Sequence, residues 1–165
     1  MRSLDLKVIQ TVNAWLSQGD IVWYVTILKT WGASPRPPGS LFAYNQVRNA
    51  QVGSLSGGCI EQDLVEQLIS MPADVLPVLK RYGVNAEEIQ RFQLPCGGQI
   101  ELVLECLSET SVIVEHFQAI EKTLAMRQRV RRSVSLSTGE MKLMSLGEET
   151  LTVDSVQASS PPQKN

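Results

Sequence analysis

The sequence predicts an α+β fold: a single compact domain with a mixed sheet, flanking helices and no Rossmann-type domain. Three observations lead there. Apolar residues recur at helical spacing in three separate stretches, near 4–18, 60–70 and 111–127. Between them lie runs rich in β-branched and aromatic residues, such as "DIVWYVTILKT". No strand is followed by a GxGxxG turn and a helix, so a dinucleotide fold of that kind is not expected.

In chain order, Leu4, Val8, Val12, Trp15 and Leu16 mark an amphipathic first helix that Ser3 can cap and Gly19 can end. A strand is expected from Ile21 to about Thr30. The next segment, "WGASPRPPGS", holds three prolines and two glycines, which exclude regular structure. "SLFAYNQ" and "RNAQVGSL" read as a hairpin turning near Asn45 to Ala50. Ile60 to Ser70 reads as a helix with Ile60, Leu64, Val65 and Leu68 on one face.

"PADVLPVLKRYGVNAEE" is expected to be a short helix broken by Pro72 and Pro77, then a loop. "IQRFQLPCGGQIELVLECL" reads as a strand, a glycine turn and a second strand, with Ile100, Leu102, Leu104 and Cys106 sharing a face. Ser111 to about Arg127 returns to helical period, with Ile113, Phe117, Ile120 and Leu124 inward. A last hairpin turns at Thr138-Gly139, and "VDSVQASSPPQKN" has the composition of a disordered tail. The expected organisation is a domain over residues 1–150 and a tail or truncated linker over 151–165.

Bulk properties exclude several classes of function. A chain of 165 residues, 43% hydrophobic, suits one domain with a sizeable core. A net charge of −2 and 5% aromatic residues argue against nucleic-acid binding. No apolar run approaches the roughly 18 residues of a membrane span, and "MRSLDLKVIQ" is too polar for a signal peptide, so a cytoplasmic protein is expected. Three cysteines without C-x-x-C spacing do not form a disulfide framework, and one histidine gives a metal site or catalytic triad little material.

Chemistry concentrates in the loops. "SGGCIE" places Cys59 after Gly57-Gly58 at the mouth of a helix, where unpaired N–H groups favour a thiolate. Ser54, Ser56 and the loop N–H groups could also hold an anion such as phosphate. A small cysteine packed into a glycine turn explains Cys59 equally well. Glu61 reads more simply as a dipole-matched cap than as a general base. "PCGG" repeats the pattern in reverse, with Cys96 beside Gly97-Gly98, and two converging thiols would make a soft-metal or redox pair. Arg36, with Ser34 in the proline-stiffened loop, is suited to phosphate or carboxylate. "RQRVRR" is a further anion candidate, or more plainly a solvated helix end. Cys106 reads as a core residue, and His116 as structural or exposed.

Taken together and in order, "TWGASPRPPGS", "VGSLSGGCIE" and "LPCGGQIELVLE" resemble the N-terminal domain of the XdhC/CoxI family, from about residue 15 to residue 140. The resemblance implies an accessory protein that binds the molybdenum cofactor, a molybdopterin or its dinucleotide form. It would protect the cofactor during sulfuration and pass it to a xanthine dehydrogenase or CO dehydrogenase-type apoenzyme. A cysteine desulfurase would supply the sulfur. Carried onto this chain, Cys59 and Cys96 would contact the molybdenum or its sulfur. Ser34, Arg36, Gly57, Gly58, Gly97 and Gly98 would shape the pocket. Many family members continue into a Rossmann-type domain; here that domain would be encoded separately, or the protein would be a form that works without it, and a homodimer is expected by analogy. Two other readings stay open: a thiol-dependent sulfurtransferase or oxidoreductase using Cys59, and the non-catalytic half of a split maturation factor.

Overall fold

A computed structural model of the protein describes residues 3–32, 36–83, 87, 98–148 and 154–159. The elements run α1 (Ser3–Ser17), β1 (Val22–Trp31), β2 (Leu41–Asn45), β3 (Ala50–Gly53), α2 (Cys59–Ile69), β4 (Val78–Tyr82), β5 (Gln99–Leu107), α3 (Ser111–Ala125), β6 (Gln128–Ser135), β7 (Met141–Glu148) and β8 (Asp154–Ser159). The class is α+β, as expected. Five strands form one sheet in the order β3-β2-β1-β5-β4, antiparallel throughout. Mixed pairing occurs in a second sheet, β7-β6-β8, where β6 pairs antiparallel with β7 and parallel with β8.

The period-2 alternation of β1 decides the layering. Trp23, Val25 and Ile27 point to one face, where Ile60, Leu64 and Leu68 of α2 pack against them with Ile100, Leu102 and Leu104 of β5. Val22 and Tyr24 point to the other, where Val8, Val12 and Leu16 of α1 meet Phe117, Ile120 and Leu124 of α3. The central sheet therefore lies between α2 on one side and α1 with α3 on the other. Asn13 joins the two helices of the second layer, donating to the Phe117 carbonyl at 3.0 Å and to Glu121 Oε1 at 3.1 Å. Gly19, in the left-handed region at φ 78°, ends α1 as expected.

The second sheet is keyed to the first by a buried ion pair. Arg132 of β6 is only 2% exposed. Its Nη1 and Nη2 donate to Glu105 Oε2 and Oε1 of β5 at 2.6 and 2.7 Å. Its Nε donates to His116 Nε2 of α3 at 2.8 Å, and its guanidinium lies 5.3 Å from the Tyr24 ring centre and 5.1 Å from that of Phe117. Burial works against the guanidinium charge, but the Glu105 carboxylate outweighs it and raises the pKa. The basic run at 127–132 is thus no solvated helix end: α3 stops at Ala125, Arg127 turns the chain at φ 58°, and the run continues as β6.

Two further expectations are corrected. The segment after Pro77 forms β4 rather than part of a broken helix. Proline removes a helical hydrogen bond and clashes with the preceding turn, yet it is tolerated at the start of an edge strand. Residues Asp154–Ser159, expected within the disordered tail, form β8 against β6, with Val134 opposite Ala158. The strand expected just before "PCGG" and its glycine turn lie outside the described residues, apart from Gly98 at the entry of β5.

Replacing Arg132 with Met leaves the Glu105 carboxylate buried without its partner, and is expected to cost about 3–5 kcal/mol in urea unfolding. The double change Arg132→Met with Glu105→Leu is expected to cost less than the single one. His116 gives a second check. Burial first, then the neighbouring Arg132 charge, push its pKa from 6.5 down to about 4. Between those values the unfolded chain binds the extra proton, so stability is full above pH 6.5 and falls as the pH drops toward 4. His116→Gln, which keeps an acceptor for Arg132, should flatten that decline in unfolding curves taken across the same range.

Candidate functional site

Antiparallel pairing sends β1, β3 and β4 in one direction and β2 and β5 in the other. The ends of β1, β3 and β4 and the starts of β2 and β5 therefore share one end of the sheet. Three connections attach there: residues 32–40, residues 54–58, and the chain between Gly83 and Gly98. These connections carry the three motifs. Their attachment points are staggered. Trp31 lies opposite Gln99. Gly53 lies opposite Phe42, which is level with Val25. The stagger along β1 is roughly 20 Å at about 3.3 Å per strand residue. Leu55, fully buried, joins the apolar cluster on the α2 side of the sheet.

The loop before α2 is organised by Glu61, in the helix's first turn. Its carboxylate is 4% exposed. Oε1 accepts from the Leu55 N–H at 2.6 Å and from the Ser56 N–H, and Oε2 accepts from the Gly58 N–H. The Ser56 hydroxyl lies 3.3 and 3.2 Å from the two oxygens. Glu61 is thus the cap expected from its position: the N–H groups of Leu55, Ser56 and Gly58, proposed for an external anion, are taken by a side chain of the same helix.

Gly57 and Gly58 stand at φ 97° and 145°, conformations that L-residues rarely adopt. Among the described residues, chain neighbours aside, a Cβ built at either would meet nothing within 4 Å. Among the described residues it is backbone conformation, not crowding, that requires glycine here, and both glycines are exposed. Gly53 is different: at φ 91°, a Cβ would come within 2.3 Å of the Leu41 carbonyl oxygen and 2.9 Å of Val8. The backbone of Cys59 opens α2 directly after this glycine pair.

Arg36 lies elsewhere. Its Nη2 is 3.6 Å from Asp5 Oδ1 of α1, on the opposite side of the sheet from α2. The sequence offered no signal for that pairing, because 31 positions separate the two residues. Gly98 is buried at the entry of β5. Ser34, Cys96 and Gly97 lie outside the described residues. Cys106 sits against the α2-side core, as expected, and burial, with Asp74 adding to it, pushes its thiol up to about 11. Such a thiol remains protonated at neutral pH and is a poor nucleophile. Among the described residues, no three His, Cys, Asp or Glu side chains are grouped as a metal site, and no helix is long and apolar enough to cross a membrane.

The three glycines separate strain from crowding. Gly57→Ala and Gly58→Ala are each expected to lower unfolding free energy by about 1–3 kcal/mol through backbone strain alone. Gly53→Ala adds a backbone clash and should be the most damaging of the three. Urea unfolding of the three variants checks the order.

Comparison with known proteins follows the same part of the chain. The family model described as "XdhC and CoxI family" matches residues 15–83. The matched segment includes the proline loop and "SGGC", and "PCGG" lies beyond it. A search of curated proteins finds no match. A crystal structure described as a xanthine dehydrogenase from Bacillus halodurans shares the fold at a TM-score of 0.67 and 22% identity. That alignment covers 91% of this chain and 46% of the other, so the chain spans about half the length of the protein it resembles. Residues 15–83, from the end of α1 through β4 to Gly83, thus match the XdhC and CoxI family, and the resemblance expected from the motifs is borne out there.

Proposed function

We propose that the protein is an accessory factor that binds the molybdenum cofactor and assists its sulfuration and insertion into a molybdenum hydroxylase apoenzyme. The observation that carries this reading is the family match across the proline loop and "SGGC". The fold likeness and the shared end of the sheet support it. The exposure of Gly57 and Gly58 is compatible with a ligand resting on that backbone.

Cys59, Gly57 and Gly58 would hold the cofactor from the α2 loop, with Cys96, Gly97 and Gly98 contributing from the β5 side. Arg36 and Ser34 would complete the pocket from the proline loop, with Arg36 giving up its pairing with Asp5. The bound group would supply a soft molybdenum centre and its sulfur ligand. The chain's own task would be to seat it and shield it from water and oxygen. On this reading a cysteine desulfurase supplies sulfur, the apoenzyme receives the product, and a second copy of the chain or a separate Rossmann-domain protein completes the working unit.

Co-production with an active cofactor pathway should yield protein carrying molybdenum and a fluorescent pterin after oxidation, read by metal analysis and chromatography. Cys59→Ala should retain less than about a tenth of the wild-type molybdenum while keeping its thermal midpoint. Wild-type protein that carries neither metal nor pterin, from cells whose hydroxylase is fully loaded, would sink the proposal.

A further inference from the structure

The second sheet covers part of the central sheet's other face. β6 meets that face at Val103 through Val134, and at Glu105 through Arg132. Toward the start of β5 a row of side chains stays outside this cover. Cross-strand partners in an antiparallel sheet share a face. Lys29 of β1 and Arg81 of β4 both lie opposite Glu101 of β5, and Trp31 lies opposite Gln99. Ile100 and Leu102 point to α2, so this row points away from it. Lys29, Trp31 and Arg81 are exposed, while Glu101 between them is buried.

The Arg81 guanidinium is held from two sides. Its Nε donates to Glu101 Oε2, and its Cζ lies 5.6 Å from the Trp31 ring centre. A side chain that is 57% exposed thus has a set orientation. Nη1 and Nη2 have no hydrogen-bond partner among the described residues. The charges of the row do not cancel either: two cations meet one carboxylate, and Nε already engages that carboxylate. Trp31, 41% exposed, adds a flat apolar surface at the same place.

These groups select a ligand by their chemistry. A guanidinium fixed at Nε presents its two outer nitrogens as a fork for two oxygens of one anion. A carboxylate would spend both oxygens on that fork. A phosphate monoester keeps a further oxygen for the Lys29 ammonium, and a flat ring attached to it can lie against the indole. We propose that Lys29, Trp31 and Arg81 form a binding site for the phosphate monoester of a flat heterocycle, a ligand of the nucleoside monophosphate type. The site is on the opposite face of the sheet from α2. It goes beyond the proposed function and does not rest on it.

The test titrates adenosine monophosphate into the full chain and follows the indole N–H signals of the three tryptophans by NMR, with Trp31→Phe identifying the Trp31 signal. The Trp31 signal is expected to shift saturably while those of Trp15 and Trp23 stay in place. Adenosine, inorganic phosphate and benzoate should each bind about tenfold more weakly or worse, because each lacks the ring, the phosphate or the third oxygen. Arg81→Gln removes the fork and should weaken adenosine monophosphate binding about tenfold. Lys29→Gln changes an exposed side chain, should keep the thermal midpoint and weaken binding several-fold; it decides the matter if Arg81→Gln does not fold. No saturable shift of Trp31, benzoate binding as tightly as the nucleotide, or unchanged affinity in the folded variants would overturn the proposal. Neither molybdenum nor pterin enters the titration, so its failure leaves the proposed function untouched.

Discussion

The two-sheet architecture hangs on the Arg132–Glu105 pair. Two charges removed from water cost several kcal/mol each unless their hydrogen-bonding capacity is met. Here it is met from three elements: Glu105 of β5 takes both terminal nitrogens, His116 of α3 takes Nε, and Tyr24 of β1 and Phe117 of α3 place ring faces beside the guanidinium. No register other than the observed one for β6 would bring all of these to one arginine. The pair thus works less as a source of net stability than as a key. It fixes the second sheet against the α1–α3 face and fills that face.

The consequence for function is a division of labour between the two faces. The α1–α3 side carries the buried charges, including Glu101 and Glu105 on alternate positions of β5. The α2 side is built from apolar residues of β1, β2, β5 and α2, with Glu61 as the charged exception at its margin. A helix laid on an apolar face can be positioned by packing alone. The loop before α2 is anchored in that way at Leu55, but Gly57 and Gly58 bring no side chain to pack. Glu61 adds three directed hydrogen bonds to that anchor, so the glycine segment still has a defined backbone.

What could be read from the sequence followed from local pattern. The helical periods of 4–18, 60–70 and 111–127 and the alternation of Ile100 to Cys106 depend on residues close in the chain, and the structure reproduces them. The structure departs where distant partners decide. "VLKRY" after Pro77 has no strong strand composition; it becomes β4 because β5 offers an unpaired edge. "DSVQAS" is too polar to suggest a strand, and β6 supplies its backbone partner. The charge of "RQRVRR" suggested solvent, and only the fold shows Glu105 waiting for Arg132 across the core. At the site, Glu61 was legible as a cap because it lies in the first turn of its own helix. The attraction of Arg36 to Asp5 was not, since nothing local links the proline loop to α1.

A filled anion seat also bears on how a carrier lets go. Phosphate held by three converging N–H groups at a helix terminus gains charge-assisted hydrogen bonds of about twice ordinary strength. A cofactor anchored in that way would dissociate slowly, since differences in affinity appear mainly in the off-rate. An accessory factor has the opposite need: it must hold its cargo long enough to shield it and still release it to an enzyme that binds more tightly. With Glu61 in the seat, the N–H groups of Leu55, Ser56 and Gly58 are spent within the chain, and the loop withholds its strongest electrostatic contact. On the proposed function, the same carboxylate that orders the backbone before α2 therefore also denies a phosphate that anchor, and tilts the balance toward hand-over.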